Sequence, residues 1–261
     1  MLKLFGTNYD GGKIYKLKGL TFGPQDEPPA LLSEVGIFKD MQTLDPEDFM
    51  IPYELNEPFW SDDALKFRWM IIPNDGTMDT PGEKIKFSEN GDWEFPVGAV
   101  TVKHFEMQVD ESQPHETKRL ETRLMIKDIA GQFYGLTYKW RDDQTEADLL
   151  GVGRYDTVGI QTPQGLKEVH WYYPDQQECM VCHNGGSKWV LGPKTRQLNG
   201  DITYFQTGRQ SNQLKTLAKI QAFDQVPDTN NLGNYLVSAN QDDAGASLEL
   251  RARSYLDANC A

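Results

Sequence analysis

The segment AVTVKHFEMQV, residues 99–109, is rich in β-branched and aromatic residues and is typical of a β-strand. Successive side chains of a strand point to opposite faces of a sheet. Val102 and His104 then share one face, while Lys103 and Phe105 share the other. Both faces also contain apolar residues, so the segment predicts a β-strand with apolar side chains on each side.

Further segments of strand character lie before and after this one, and the links between them are too short to hold crossover helices. Consecutive strands are therefore expected to pair antiparallel. These segments are residues 64–73, 83–96, 118–128, 131–140 and 166–174. The sequence predicts a mainly β fold built as an antiparallel meander, with a few short helices that make it α+β overall.

Three segments have helical signals instead. Residues 29–35 form a short apolar stretch after a proline-rich link, and residues 211–223 place Leu214 and other apolar residues on one helical stripe. Residues 247–261 predict a helix with Ser247 as its N-cap. The polar segment between the last two helices is typical of a linker.

Charge and composition exclude several classes of protein. The chain has 261 residues, with 39 acidic against 26 basic side chains and a formal charge of -13. That balance argues against nucleic-acid binding, which needs clustered lysine and arginine. An acidic surface could favour a basic redox partner, although simple solvation explains it equally well. No apolar run reaches the ~18–20 residues that would predict a transmembrane segment.

The motif with the clearest chemistry is CMVCH, residues 179–183. The spacing C-x-x-C-H is used for covalent attachment of haem c. Cys179 and Cys182 would form the two thioether bonds, and His183 would provide the axial ligand to the iron. The sequence thus predicts one covalently bound haem c, with His183 as its metal ligand.

Three other uses are known for cysteines and histidines at such a spacing. A zinc site would need a second cysteine or histidine pair, which the sequence does not provide. A thioredoxin-like redox pair would need a βαβ context, and the surrounding segments do not predict one. A disulfide between Cys179 and Cys182 is closable at this spacing, though strained. Haem attachment remains the favoured interpretation.

Many separated segments also resemble, in order, a family of exported bacterial haem-c proteins. These segments include LLSEVGIF, PYELNEPFWSDDALKFRWMIIP, DWEFPVGAVTVKHFE, TYKWRDDQTEADLL, CMVCH and LGPKTRQLN. The resemblance covers about residues 28–261. The family is of largely hypothetical function and is associated with quinoprotein (sugar) dehydrogenase domains. Its final helix leads into a second haem motif, and RARSYLDANCA resembles the first helix of a class I cytochrome c.

A domain organisation follows. Residues 6–19, GTNYDGGKIYKLKG, resemble the closing strand of a β-propeller blade, although an ordinary edge strand is the alternative, so residues 1–20 would be the tail of an upstream propeller-like domain. Residues 21–223 would be the β-rich haem-c domain. Residues 224–246 would be a linker, and residues 247–261 the truncated start of a class I cytochrome c domain. Haem c is attached outside the cytoplasm, so a periplasmic or otherwise exported location is expected, with a leader that this chain does not include.

A shorter resemblance concerns FPVGAVTVK, residues 95–103, followed by the C-terminal C-x-x-C-H. This arrangement resembles the cytochrome P-460 group, which consists of antiparallel β-sheet mono-haem proteins that oxidise hydroxylamine or bind nitric oxide. In its enzymatic members a lysine of the sheet is crosslinked to the porphyrin. The resemblance implies that role for Lys103.

Lys103 and His104 are neighbours on one strand, so at most one of them can readily face a haem pocket beneath the sheet. Lys103 could reach a porphyrin edge, and His104 could serve as sixth ligand. Histidine costs less to bury than lysine. We therefore expect His104 to have the interior or pocket-lining role.

Three functions follow as hypotheses. The first is an exported haem-c protein that passes electrons, between a dehydrogenase domain and a cytochrome c. The second is a haem enzyme or gas-binding sensor that acts on a small nitrogen or oxygen species at an open distal face. The third is a structural or adaptor domain whose cysteines form a disulfide without haem.

Overall fold

The computed structural model describes residues 27–260 and the backbone of two short strands near the N-terminus. Those strands, Phe5–Thr7 (β1) and Ile14–Lys16 (β2), pair antiparallel. The prediction of a propeller tail over residues 1–20 falls largely outside the described residues.

The remaining strands follow in chain order. They are β3 (Phe38–Asp40), β4 (Asp45–Pro46), β5 (Ile51–Pro52), β6 (Leu65–Ile71), β7 (Val100–Gln108), β8 (Thr117–Lys127), β9 (Phe133–Trp140), β10 (Ala147–Leu149), β11 (Arg154–Thr162), β12 (Gly165–Tyr173), β13 (Asp201–Tyr204) and β14 (Arg209–Asn212). The helices are α1 (Leu32–Val35), α2 (Gln176–Cys182), α3 (Thr195–Leu198), α4 (Gln213–Lys219) and α5 (Leu248–Asn259).

A six-stranded antiparallel sheet forms the centre of the fold, with strand order β10-β9-β8-β7-β6-β5. Each neighbour in this order is also the neighbour in sequence, so the sheet is a meander. The mainly β, α+β prediction is therefore confirmed. Short links join β7 to β8 and β8 to β9, whereas residues 72–99, which include the 3-10 turn Pro81–Glu83, join β6 to β7.

Two of the predicted strands differ from expectation. Residues 165–173 pair only with β11, as a separate two-stranded sheet, and do not extend the meander. Residues 83–96 form isolated bridges in place of a regular hairpin: Lys86 pairs with Glu94 within the segment, Asp92 pairs with Lys194, and Ile85 pairs with Phe223. Trp93 and other apolar residues of this segment pack on α3 and α4. Tertiary packing thus overrides their local strand character.

Strand β7 is covered on both faces. Val100 and Val102 pack with Trp69 in a core that α1 closes. Phe105, on the other face, packs with Trp171 of β12 in a second core. Each fully buried side chain of this size contributes about 1.5–3 kcal/mol relative to exposure. The sheet is therefore fixed from both sides at its centre.

The predicted helices are present but shorter. The apolar stripe of residues 211–223 forms α4, and the C-terminal segment forms α5, whose N-cap Ser247 accepts a hydrogen bond from the amide of Leu250 at 3.2 Å. The segment 224–246 contains a single 3-10 turn, Leu232–Asn234. Ser238 and Ala239 within it are buried, so this segment lies against the β domain.

No helix among the described residues combines the length and the apolar character that a membrane crossing requires.

Helix α2 lies directly on the sheet at Gly135 of β9. A Cβ atom at Gly135 would lie 2.6 Å from the Cβ of Cys179 and 3.0 Å from its Sγ. Real Cβ atoms do not approach so closely, so the contact requires glycine. The absence of a side chain at this point sets the height of α2 above the sheet.

We predict that Gly135→Ala will lift α2 and destabilise the fold by about 1–3 kcal/mol, as expected for overpacking. Denaturant unfolding measures this directly. Gly151→Ala is the matched control, because no heavy atom lies within 4 Å of its added Cβ. Equal stability of the two variants would contradict the close packing of α2 on β9.

Candidate functional site

The C-x-x-C-H motif lies at the end of α2. Asp175 caps the start of this helix, with its carboxylate accepting from the amides of Gln177 and Glu178. Cys179 and Cys182 are one helical turn apart and so project from one side of the helix. Cys179 is buried and Cys182 is exposed. The motif therefore lies between the protein interior and its surface.

His183 follows as the C-cap of α2, and its ring orientation is fixed by one hydrogen bond. The Nδ1 of His183 lies 2.7 Å from the carbonyl oxygen of Trp189. A carbonyl oxygen can only accept, so Nδ1 is the protonated nitrogen. In the neutral ring Nε2 then holds the free lone pair. Burial, followed by the charge of nearby Lys103, lowers the pKa of His183 to about 4, so the ring is neutral at physiological pH.

The loop after His183 makes this bond possible. Lys188 and Trp189 have positive φ angles of 50° and 68°. Two consecutive non-glycine residues in this region are unfavourable and are held there by their surroundings. The ring of Trp189 stacks on Phe133 of β9, with centroids 5.6 Å apart and an angle of 7° between planes. The stacking holds the carbonyl in position for His183.

A cavity of about 880 Å³ opens next to the motif, within the ~300–1,000 Å³ usual for cofactor and ligand sites. Its lining combines α2, the sheet and the last turn of α5. The residues that line it include Tyr53, Phe59, Trp60, Thr101, Lys103, Arg123, Met125, Cys179, Cys182, His183, Lys194, Arg196, Asp257 and Asn259.

Lys103 and Arg123 form the sheet side of this cavity. They are directly opposite each other in the pairing of β7 with β8. The Nε of Arg123 donates to Glu121 Oε2 at 2.9 Å, and its Nη2 donates to Oε1 at 2.5 Å. Lys103 has no such partner among the described residues, and its ammonium lies 5.1 Å from the ring centroid of Phe59. Burial, with the charges of Arg68 and Arg123, lowers the pKa of Lys103 well below its ordinary value.

His104 lies on the other face of β7: it has the expected interior position, but it does not line the cavity. Its ring is fully buried in a closed hydrogen-bond chain. Trp140 Nε1 donates to Thr122 Oγ1 at 3.1 Å, and Thr122 Oγ1 lies 2.8 Å from His104 Nδ1. His104 Nε2 lies 3.1 Å from Glu106 Oε1. Histidine is indeed easy to bury here, but alternation along the strand turns it away from the cavity.

Two of the three other uses of the cysteines, a disulfide and a zinc site, find no support in the described part of the chain. Cys179, Cys182 and Cys260 are all free thiols there. Residues three apart in a helix have Cβ atoms about 5–6 Å apart, further than a disulfide allows. The one group of three close ligating side chains among the described residues is Asp75, Asp79 and Glu83, which contains no cysteine or histidine.

Several residues of the site were missed from the sequence. Arg123 lies in a predicted strand, and the register that places it opposite Lys103 could have pointed to it. Trp189 contributes its backbone carbonyl oxygen, and every residue has one, so the sequence gives no signal for this role. Asp257 and Asn259 reach the cavity from α5, where Asp257 accepts a bidentate pair of hydrogen bonds from Arg196 at 2.7 and 2.9 Å. Such long-range contacts leave no local signal.

Comparisons with protein-family models, with curated proteins and with solved structures returned no match to this chain.

We predict that His104→Ala will reduce the free energy of unfolding by about 2–4 kcal/mol near pH 7.5, because it opens a cavity and leaves Thr122 and Glu106 without their partner. Chemical denaturation measures the loss. The control is His115→Ala, at an exposed loop position, which should change stability by no more than about 0.5 kcal/mol.

The reduction in free energy of unfolding caused by His104→Ala should also depend on pH. Burial lowers the pKa of His104 below its ordinary 6.5, so the unfolded chain takes up this proton first as the pH falls. The native protein therefore loses stability below about pH 6.5, whereas His104→Ala lacks this contribution. The difference in free energy of unfolding between the native chain and His104→Ala should therefore become smaller towards acid pH. A constant difference would show that His104 is not buried in its neutral form.

Proposed function

We propose that this chain is a c-type haem protein that acts in electron transfer. Cys179 and Cys182 would hold one haem through thioether bonds, and His183 would bind its iron through Nε2. The observation that supports this most directly is the hydrogen bond from His183 Nδ1 to Trp189 O at 2.7 Å. Metal-ligating histidines commonly donate their second ring nitrogen to a carbonyl or carboxylate, which fixes the tautomer and orients the ring.

The cavity beside the motif is suited to a large planar group. Aromatic and apolar side chains, among them Phe59, Trp60 and Met125, line it together with cationic groups. Bound haem would supply an iron centre that gains and loses one electron at a time. The chain's own residues would hold it, orient the axial imidazole and limit access of water to the interior side.

The position of the two cysteines supports electron transfer. Cys179 is buried against the sheet, whereas Cys182 and its neighbour Val181 are exposed. A haem held by this pair would have one edge near the surface, where another redox protein can approach. The formal charge of -13 would favour a partner with a basic docking face.

The proposed partners and location rest on the family resemblance. They are a dehydrogenase domain as electron donor and a cytochrome c as acceptor, in the periplasm or another exported compartment. Helix α5, which resembles the first helix of a class I cytochrome c, contributes Asp257 and Asn259 to the cavity lining. A segment that led into a second haem domain would therefore start beside the first haem.

A second candidate is a haem enzyme or gas-binding sensor for a small nitrogen or oxygen species. The observation that favours it is the position of Lys103, which lines the cavity while His104 lies on the opposite face. An amine with a strongly lowered pKa can lose its proton and act as a nucleophile or ligand. This is the arrangement that the cytochrome P-460 resemblance implies.

We predict that protein matured with the haem-attachment machinery will retain haem in acidified acetone. Its pyridine haemochrome should be that of two thioether bonds. Cys179→Ser and Cys182→Ser should each give the spectrum of a single thioether, because one sulfur is removed. Cys260→Ser is the matched control and should leave the haemochrome unchanged. Extraction of the haem by acidified acetone from the native protein would refute the attachment.

A second prediction separates the two functions. Lys103→Ala should alter the visible spectrum of the haem-loaded protein, because the cavity loses its amine, whereas His104→Ala should leave the spectrum unchanged. A change from low-spin to high-spin iron in Lys103→Ala would identify the amine as a ligand of an electron carrier. Loss, in Lys103→Ala, of a covalent bond between residue 103 and the haem (seen by mass spectrometry) and of a red-shifted absorption band would identify a porphyrin crosslink. That result would favour the haem-enzyme function. An altered spectrum in His104→Ala alone would contradict the assignment of faces.

A further inference from the structure

Three cationic side chains cross the sheet in one row. Arg68 of β6 is directly opposite Lys103 of β7, and Lys103 is directly opposite Arg123 of β8. Side chains at directly opposite positions project from the same face, with Cβ atoms about 4.5–5.5 Å apart. The row therefore places three cationic groups next to one another on the face that α2 covers.

The two arginines differ in how they are paired. The Nε and Nη2 atoms of a guanidinium lie along one edge, which binds the two oxygens of a carboxylate side by side. In Arg123 this edge binds Glu121, at 2.9 and 2.5 Å. In Arg68 the same two atoms, Nε and Nη2, are buried and have no hydrogen-bond partner. Its Nη1 makes one long contact, 3.5 Å, to the carbonyl oxygen of Lys66.

The environment of Arg68 makes this lack of a partner costly. Arg68 is only 7 % exposed, and a buried charge is expected to be paired. Its neighbours Tyr53 and Lys103 both line the cavity, and Arg68 lies directly behind them. Glu121 already pairs with Arg123 and also accepts from Trp171 Nε1 at 3.0 Å. The row thus holds more positive than negative charge.

We propose that Arg68, together with Lys103, forms a binding site for a planar oxyanion, either a carboxylate group or a small oxoanion of similar shape. The free edge of Arg68 matches two oxygens in one plane, as the Arg123–Glu121 pair does within the same row. Lys103 adds a third donor on the cavity side. Binding would satisfy the two unpartnered nitrogens and balance the charge of the row.

Two sources could supply this group. One is a carboxylate of the proposed haem itself, and the other is a free small anion that enters the cavity. Anion binding by the row does not require haem, so the site can be tested in either form of the full-length chain. Formate is a suitable probe because it is the smallest planar carboxylate.

The experiment compares calorimetric titration of formate, against sodium chloride at equal ionic strength, into the chain produced with and without haem attachment. Saturable binding is expected in the haem-free chain. Arg68→Met should weaken it at least tenfold, and Arg68→Lys should weaken it as well, because it keeps the charge but loses the bidentate edge. Lys127→Met is the control, since it removes one positive charge from the same strand as Arg123 but outside the cavity lining.

Each outcome decides between the possibilities. Binding in both forms supports a site for a free oxyanion, and binding only in the haem-free form supports a site for a haem carboxylate. Absence of saturable binding in both forms overturns the site, as does equal binding in Arg68→Met. A thermal unfolding scan in chloride guards against misfolding: Arg68→Met should be at least as stable as the native chain, because an unpartnered buried charge is removed. A haem that fails to attach would refute the proposed function and leave the haem-free measurement intact.

Discussion

The alternation of side chains along β7 is the constraint on which the site depends. This strand is buried on both faces, so a shift of one residue would exchange Lys103 with His104 and reverse every contact. Two independent sets of interactions prevent the shift. His104 is held by Thr122 and Glu106 on one face, and apolar side chains such as Phe105 pack on the other. The position of the histidine thereby determines the position of the lysine.

The sequence predicted the parts of the molecule that depend on local pattern. Alternation and short links predicted an antiparallel meander, and the spacing of Cys179, Cys182 and His183 predicted that these three residues act together. Helix α2, which carries them, was not predicted. The strand expected over residues 83–96 failed because its apolar side chains pack on α3 and α4, which local propensity does not register.

The sheet side of the site could not be predicted because burial alone does not say which face of the strand a residue takes. His104 was expected inside on grounds of cost, and it is fully buried. A three-member hydrogen-bond chain with Trp140 and Thr122 makes that burial possible away from the cavity. Lys103 is only partly buried, over the ring of Phe59 at the cavity. The lower cost of burying histidine therefore predicted which of the two residues is fully buried, but the cavity lies on the other face of the strand.

Most of the cationic side chains around the cavity are paired. Lys194 pairs with Asp92 at 3.0 Å, Arg196 pairs with Asp257 at 2.7 Å and Arg123 pairs with Glu121. Among the described residues, Lys103 and Arg68 form no ion pair. Apolar side chains of similar volume at these two positions would be expected to stabilise the fold. Arrangements that reduce stability occur mainly at functional sites. The two unpaired cationic side chains are such an arrangement, and one of them, Lys103, lines the cavity beside the C-x-x-C-H motif. The cationic row and the motif therefore belong to one site, with the imidazole of His183 on the helix side and the unpaired cations on the sheet side.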